Sequence, residues 1–414
     1  MDTSLWELLS PLFFILLFFV AFGWAQSAWL FWRQEGYRGR VQWLIMEIKV
    51  PREVLKGAKA MDQFLTSLHG LLNLRWGVKE TWFDGEITRW FCFEIVGSKQ
   101  MTRLFVRYPA TFKHMFTSMF FAAYPEVELV ECEDYIHELP PTYAELNARD
   151  MELYGLEIYT KNASAYPIQT YVEHEKLVGD EKGRIIDPIA NVLEVIGKLK
   201  EEETIWIQLL ASPDVIPDWT WKPEAEKILD KFENPVDEAH SGSAGQIRFR
   251  FRTPGEDEAI QKIDDKRSKP CFETVIRMLY VAPRNIFNHQ TLYRGIFGFF
   301  QQFKNEHQIF KKNFHTRTKS EWFMFPFGFP SVRLRMKRMK LYDEYRRRFV
   351  PEETLFGKLM NSHLLQWCIY HHVSIFGADE LATLFHIPTN VVLTQSSMDR
   401  VESKRLPSPT NLPA

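Results

Sequence analysis

ITRWFCFEIVGSKQMTRLFVRY, residues 87–108, decides the fold. Two runs rich in aromatic and β-branched side chains, 87–96 and 101–108, flank Gly97-Ser98-Lys99-Gln100. Such a pair reads as an antiparallel hairpin. Upstream, VQWLIMEIKV (41–50) has the pattern of a buried strand and ends at Pro51. Between that strand and the hairpin, Val54, Leu55, Ala58, Met61, Phe64, Leu65, Leu68 and Leu71 recur at helical spacing over residues 52–74 and give the helix one apolar face. Downstream, 111–123 reads as a second helix, and EVELVE (126–131) alternates as an edge strand. The order is strand, helix, strand, strand, helix, strand, the ferredoxin-like (split βαβ) plan of an antiparallel sheet with two helices on one face.

A second pass of similar order starts at LYGLEIYT (153–160). Asp187-Pro188 opens a helix running to residue 199 as N-cap and first helical position, and TIWIQLL (204–210) is a strand. A polar insertion, 212–252, follows, holding a short helix over 224–232 and the linker His240-Ser-Gly-Ser-Ala-Gly245. Thr253-Pro-Gly-Glu256 has the spacing of a capping box and starts a charged helix. FETVIRMLYV (272–281) returns as a strand, and 286–303 as a helix. The expected fold class is therefore α+β, with two ferredoxin-like units at 41–150 and 151–305, each with its own small sheet and docking edges. A basic α/β region at 306–396 and a Pro-rich tail at 397–414 complete the chain.

Ahead of these units, PLFFILLFFVAFGWAQSAWLFW (11–32) carries no charge and spans about 33 Å as a helix, enough for a hydrocarbon core. Asp2 and Glu7 precede it; Arg33, Arg38 and Arg40 follow against Glu35. The positive-inside rule then puts the N-terminus outside and the bulk of the chain in the cytoplasm, as expected for a single-pass protein of an inner membrane. A cleaved signal peptide wants a basic start and a shorter apolar stretch, so residues 1–40 read as an uncleaved anchor and juxtamembrane segment.

Composition is that of a globular protein, 45 % hydrophobic and 25 % charged. Cys92, Cys132, Cys271 and Cys368 are widely spaced, as thiols of a reducing compartment are. Cys368, His371 and His372 cluster, but the surrounding tract is apolar and lacks a second ligand pair, so no metal is expected. Gly197-Lys198 and Gly357-Lys358 are each followed by Leu, which rules out a Walker A loop. The zinc-protease, nucleophile-elbow and dinucleotide fingerprints are missing as well, and His386 sits in an apolar stretch with no evident carboxylate partner. The chain reads as non-catalytic and without a cofactor; an active site dispersed along the sequence would escape such motifs.

Charge is uneven. Residues 300–350 hold thirteen Lys and Arg against four acids, a local +9 in a chain whose total is −2. In SVRLRMKRMKL (331–341) basic residues partly alternate with Val332, Leu334 and Met336, as on a strand that projects them from one face. Arg333, Arg335, Lys337, Arg338, Lys340, Arg346, Arg347 and Arg348 are the candidate contacts to phosphates of nucleic acid or to anionic lipid, the alternative being a solvated face without a ligand.

Three stretches carry a family resemblance: Ile186-Asp187-Pro188 with Glu203-Thr-Ile-Trp-Ile-Gln208; Thr253-Pro-Gly-Glu256 leading to Ile263, Lys266, Lys269, Phe272 and Ile276-Arg277-Met-Leu-Tyr280; and Glu380-Leu-Ala-Thr-Leu-Phe-His-Ile-Pro388. Over roughly residues 150–413 the chain resembles the membrane-anchored N-terminal region of TraG/TraD-like conjugative coupling ATPases of type IV secretion. In that family a comparable segment and a Pro-rich linker, here Leu406-Pro-Ser-Pro-Thr-Asn-Leu-Pro413, precede a RecA-like motor. With no Walker motif present, the resemblance implies a non-catalytic bacterial adaptor for DNA transfer that positions a P-loop ATPase, either a separate chain or a continuation past residue 414. Its implied partners are the membrane, that ATPase, DNA along the basic tract, and further copies of the chain in a homo-oligomer. The rival expectation is a membrane-associated structural scaffold whose basic face lies on anionic lipid.

Overall fold

The computed structural model describes residues 5–51, 56–71, 77–173, 187–214, 220–233, 253–319, 330–352, 354–361 and 372–389. The N-terminal half runs α1 (Leu5–Arg40), β1 (Trp43–Lys49), α2 (Ala58–His69), β2 (Phe91–Ser98), β3 (Met101–Pro109), α3 (Lys113–Ala123), β4 (Glu128–Glu131) and α4 (Tyr143–Ala148). Next come β5 (Met151–Thr160), α5 (Ala190–Gly197), β6 (Thr204–Pro213), α6 (Lys222–Glu233), α7 (Pro254–Arg267), β7 (Cys271–Pro283), α8 (Phe297–Gln301) and β8 (Phe310–Lys312). The chain then forms α9 (Pro330–Arg347), α10 (Leu355–Met360), β9 (Ser374–Gly377) and α11 (Ala378–Leu384).

The hairpin forms where the sequence places it. Ser98 faces Met101, so the turn is the two residues Lys99 and Gln100, both at positive φ (51° and 63°). That is the two-residue geometry whose twist matches the flanking strands. The capping box at α7 is also present: Thr253 Oγ1 accepts from the Glu256 N–H, and the Glu256 carboxylate accepts from the Thr253 N–H.

All nine strands belong to one antiparallel sheet, in the order β4-β1-β3-β2-β6-β7-β5-β8, with β9 paired to the start of β7. The expected pair of separate sheets is replaced by this continuous one because β2 pairs with β6 from Phe91↔Ala211 to Ser98↔Thr204. Both strands are apolar and buried along nearly their whole length, so each covers the edge the other would expose. Outward from that junction both halves run in the same relative order: second, third, first and fourth strand of the half.

One face of the sheet carries the large core. Phe93, Ile95, Val106, Ile207 and Met278 meet Phe64, Phe116 and Phe120 of α2 and α3, Val192 and Ile196 of α5, and Leu381 of α11. Phe64 sits edge-on to Phe116 and Phe120, with centroids 5.2 and 5.3 Å apart, and full burial of each such ring contributes about 1.5–3 kcal/mol. The opposite face is covered by α4 and α9, whose Leu146, Leu341, Tyr342 and Tyr345 pack on Phe105, Leu153, Trp206 and Leu279.

Residues 331–341, expected as a strand, lie within the helix α9. Arg333, Lys337, Leu341, Glu344 and Tyr345 are its buried side, a spacing of three and four residues that only a helix places on one face. Pro330 at its first position and the run of Arg, Lys, Leu and Met favour helix; the partial two-residue alternation competes with that signal and loses.

Candidate functional site

Of the eight basic candidates, Arg335 and Arg347 stand exposed on α9, and Arg347 is ion-paired with Asp343 one turn away. The other six turn inward to varying degrees. Arg333 is buried. The Lys337 ammonium donates to the carbonyls of Phe314, Arg317 and Lys319 at 3.3, 3.1 and 3.2 Å. Arg338 pairs with Glu152 at 2.7 Å, and Lys340 donates to the Asn361 carbonyl. Arg346 donates to the carbonyls of Ile136 and Leu139. Six of the eight candidates are thus internal clamps; Arg338 and Arg348 pair with carboxylates outside the tract, and Lys337, Lys340 and Arg346 donate to carbonyls.

Arg348, at a φ of 52° just past α9, closes the strongest clamp. Its guanidinium reaches both oxygens of Glu94, at 2.9 and 3.1 Å, and both of Asp134. Glu94 belongs to a row of buried polar residues, one on each of four neighbouring strands: Glu94 faces Gln208, Gln208 faces Arg277, and Arg277 faces Glu157. Gln208 Nε2 donates to Glu94 at 2.8 Å and Arg277 Nε to Glu157 at 2.7 Å. The backbone after α9 lies across the row, with the Phe349 carbonyl accepting from Arg277. Burial raises the Asp134 carboxyl, but Arg348 outweighs it and holds the group below the usual range. Burial also drives the neighbouring Cys92 thiol up to about 12, with the Glu94 charge adding to the effect, so this cysteine stays a thiol and a poor nucleophile.

On the other face the three stretches singled out in the sequence converge on α11. The Lys266 ammonium meets Glu380 at 2.7 Å with both side chains buried, and Lys269 meets Asp379 at 2.8 Å. Glu380 also accepts from the N–H groups of Ile168 and Gly377, and Lys266 donates to the Ile375 carbonyl. His386 is not the isolated histidine the sequence suggests. Its Nε2 lies 2.7 Å from Asp187 Oδ1 and its Nδ1 2.9 Å from the Ala382 carbonyl, while the second Asp187 oxygen accepts from Thr389. The N-cap position of α5 falls at Ile189, two residues on, where Asp187 Oδ1 accepts from the N–H at 3.2 Å; the same carboxylate fastens the segment leaving α11. A cleft of about 120 Å³ lies between α7, α11 and residues 167–173; its lysines 262, 266 and 269 each face a carboxylate partner.

Two acceptors around one imidazole call for the doubly protonated ring. Burial pushes His386 down, but Asp187 and the Ala382 carbonyl outweigh it and hold the group above the usual 6.5; burial pushes Asp187 up, but His386 and the two N–H donors hold it below 3.8. The stabilisation from His386 is full below pH 6.5 and is lost as pH rises through its folded value; that from Asp187 is full above 3.8 and lost as pH falls through its own. In thermal unfolding, the advantage of the parent chain over His386→Gln is expected to shrink as pH rises from 6.5 through the folded value of the imidazole. A difference that stays constant over that range would rule out a charged imidazole.

The apolar helix α1 is gripped on two sides. Among the described residues it is the one helix long and apolar enough to cross a membrane, and its large side chains from Leu12 to Phe22 are 50–65 % exposed. From Trp24 onward it joins the fold. On one side Phe356 of α10 packs on Trp24 and Phe31 and donates its N–H to Ser27, while Arg38 pairs with buried Glu352. On the other, Trp29 and Arg40 donate to the carbonyls of Trp82 and Asp84 in the turn Lys79–Asp84. At 100° per residue, positions 24, 27, 31 and 38 fall nearly opposite 29, 33, 37 and 40. Gly85, at a φ of 68°, permits the close approach: a Cβ there would lie 2.3 Å from the carbonyl carbon of Arg33.

No family model matches the chain, and no curated protein matches it. The sequence singles out Arg348, Asp187 and His386 but not their pairings: Arg348 meets Glu94 and Asp134, and Asp187 meets His386, across 254, 214 and 199 positions, a separation that local patterns do not encode. The motifs Ile186-Asp187-Pro188 and His386-Ile-Pro388 were the available signal, since each puts a polar residue inside an apolar stretch beside a proline. The described cysteines Cys92, Cys132 and Cys271 are unbridged; Cys368 and His371 of the Cys-His-His cluster lie outside the described residues.

Proposed function

We propose that the chain is a single-pass, membrane-anchored docking module, held at a fixed height and orientation on the cytoplasmic side of an inner membrane. The observation that carries this reading is the grip on α1 from two opposite sides. A cleaved leader of about 15–30 residues would take Trp24 and Ser27 away from Phe356, whereas an anchor gains from being rigidly joined to what it holds. We read the sheet as two ferredoxin-like units fused edge to edge, because β4-β1-β3-β2 and β8-β5-β7-β6 repeat one strand order.

The partner proposed is a P-loop ATPase of a conjugation-type DNA transfer machine. In support, residues from the stretches that resemble TraG/TraD-like anchors meet at α11 and just after it: Lys266 and Lys269 pair with Glu380 and Asp379, and Asp187 meets His386. A tether confines such a partner to the membrane plane and raises its effective concentration. Arg335 and Arg347 are the two of the eight basic candidates that stand exposed for a phosphate contact, so the proposal rests on the anchor and not on DNA guidance.

The test is affinity capture of the full-length chain from native bacterial membranes after an alkaline wash, with mass spectrometry of both the bait and what it brings. Retention with residues 1–40 intact and a stoichiometric P-loop ATPase is the expected result. Release of a chain lacking α1 would overturn the anchor, and retention with lipid or an envelope structural protein alone would overturn the ATPase partnership in favour of a scaffold.

A further inference from the structure

The elements that grip α1 expose apolar side chains of their own. On α10, Leu355 is 57 % and Met360 63 % exposed, with Leu359 beside them; in the turn on the opposite side, Phe83 is 57 % exposed, and Val78 precedes it at 71 %. Trp29 and Trp32 of α1 stand between, and the Arg33 guanidinium lies 6.0 and 5.6 Å from their ring centroids. Within a soluble domain, apolar residues gathered at such exposure mark an interaction surface. Here α10 packs on α1 through Phe356, Trp24 and Phe31, next to the exposed apolar run Leu12–Phe22.

The level of α10 matches a bilayer boundary, and the turn Lys79–Asp84 meets α1 just past it, from Trp29 to Arg40. A hydrocarbon core takes about 20 helical residues, and the last charge before the apolar run is Glu7, so the core reaches about Ser27. Ser27 is where α10 sits, between Trp24 and Phe31, a stretch of about 10 Å along the helix. Tryptophans and an arginine at that level have the composition of a membrane–water interface.

Resting on the anchor reading above, we propose that α10 and the turn Lys79–Asp84 form a collar on either side of α1 that enters the headgroup and upper acyl layer of the bilayer. Its ligand is lipid. The domain then sits on the membrane at three points instead of swinging on one helix, because Leu355, Leu359 and Met360 on one side and Val78 and Phe83 on the other gain by leaving water.

The experiment uses the full-length chain in nanodiscs of phosphatidylcholine and phosphatidylglycerol. An environment-sensitive fluorescent amino acid is placed singly at Met360, Phe83, Phe18 or Met115, the last being 47 % exposed on α3. Lipids carrying a spin label high or deep in the acyl chain serve as quenchers. Met360 and Phe83 are expected to lose most of their emission to the shallow label, Phe18 to the deep one, and Met115 to neither. If Phe18 is quenched while Met360 and Phe83 behave like Met115, the collar is refuted and the anchor stands. If Phe18 is not quenched either, the anchor reading fails with it.

Discussion

Replacing Arg348 by Ala is expected to cost about 3–5 kcal/mol of folding stability, the range for removing one partner of a buried ion pair. The guanidinium is 1 % exposed and supplies the cation for Glu94, itself fully buried, and for Asp134. Without it Glu94 keeps one Gln208 N–H at 2.8 Å as its named neutral donor in a core that excludes water. Arg348→Lys retains the charge but loses the planar fork that reaches two carboxylates at once, so it is expected to recover only part of the loss. Adding Glu94→Gln to Arg348→Met is expected to recover more, by removing the stranded charge. Chemical unfolding of the full-length chain in detergent, followed by tryptophan fluorescence, gives the comparison. A loss under about 1 kcal/mol for Arg348→Ala would place the pair among weak surface bridges and discard the clamp.

Lys266→Met is the second large effect, of similar size and on the opposite face, again about 3–5 kcal/mol. Lys266 and Glu380 are 3 % and 1 % exposed, and the carboxylate also holds two backbone N–H groups that fix residue 168 and the start of α11. Burial, with Asp379 adding to it, already raises the Glu380 carboxyl above its usual value against the pull of Lys266. The sign follows. An acid raised in the folded chain costs stability as pH climbs from its unfolded value toward its folded one, and deleting the lysine widens that interval. The variant is therefore expected to fall furthest behind the parent above the raised folded value of Glu380 and to regain that ground as pH falls toward 4.5, and Glu380→Gln in the same chain is expected to flatten the dependence. Equal pH profiles for Lys266→Met and the parent would show that the pair is solvated and that the attachment of α11 is not built on it.

Legibility followed sequence distance. The hairpin, α2, α3 and the capped start of α7 were readable, because each depends on neighbours within a turn or a two-residue alternation. The joining of β2 to β6 was not, since Glu94 and Gln208 meet across 114 positions and nothing in either strand names the other. Residues 331–341 satisfied two periods at once. The competition was settled by tertiary packing, where a helix could bury Arg333, Lys337 and Leu341 together on the sheet. The same choice decided the candidate site. A strand would have shown its charges to solvent, whereas the helix turned most of them into the fold, and excess local charge became a set of internal fasteners.

The ends of the sheet carry a consequence for a chain crowded among its own copies. The outermost strands are four and three residues long, β4 flanked by Glu128 and Glu131 and β8 ending in Lys311 and Lys312. Short, charged edges make poor templates for zipping one sheet onto the next. Copies that collide therefore find few unpaired backbone groups to share at these edges, and the sheet can be concentrated without growing into fibres.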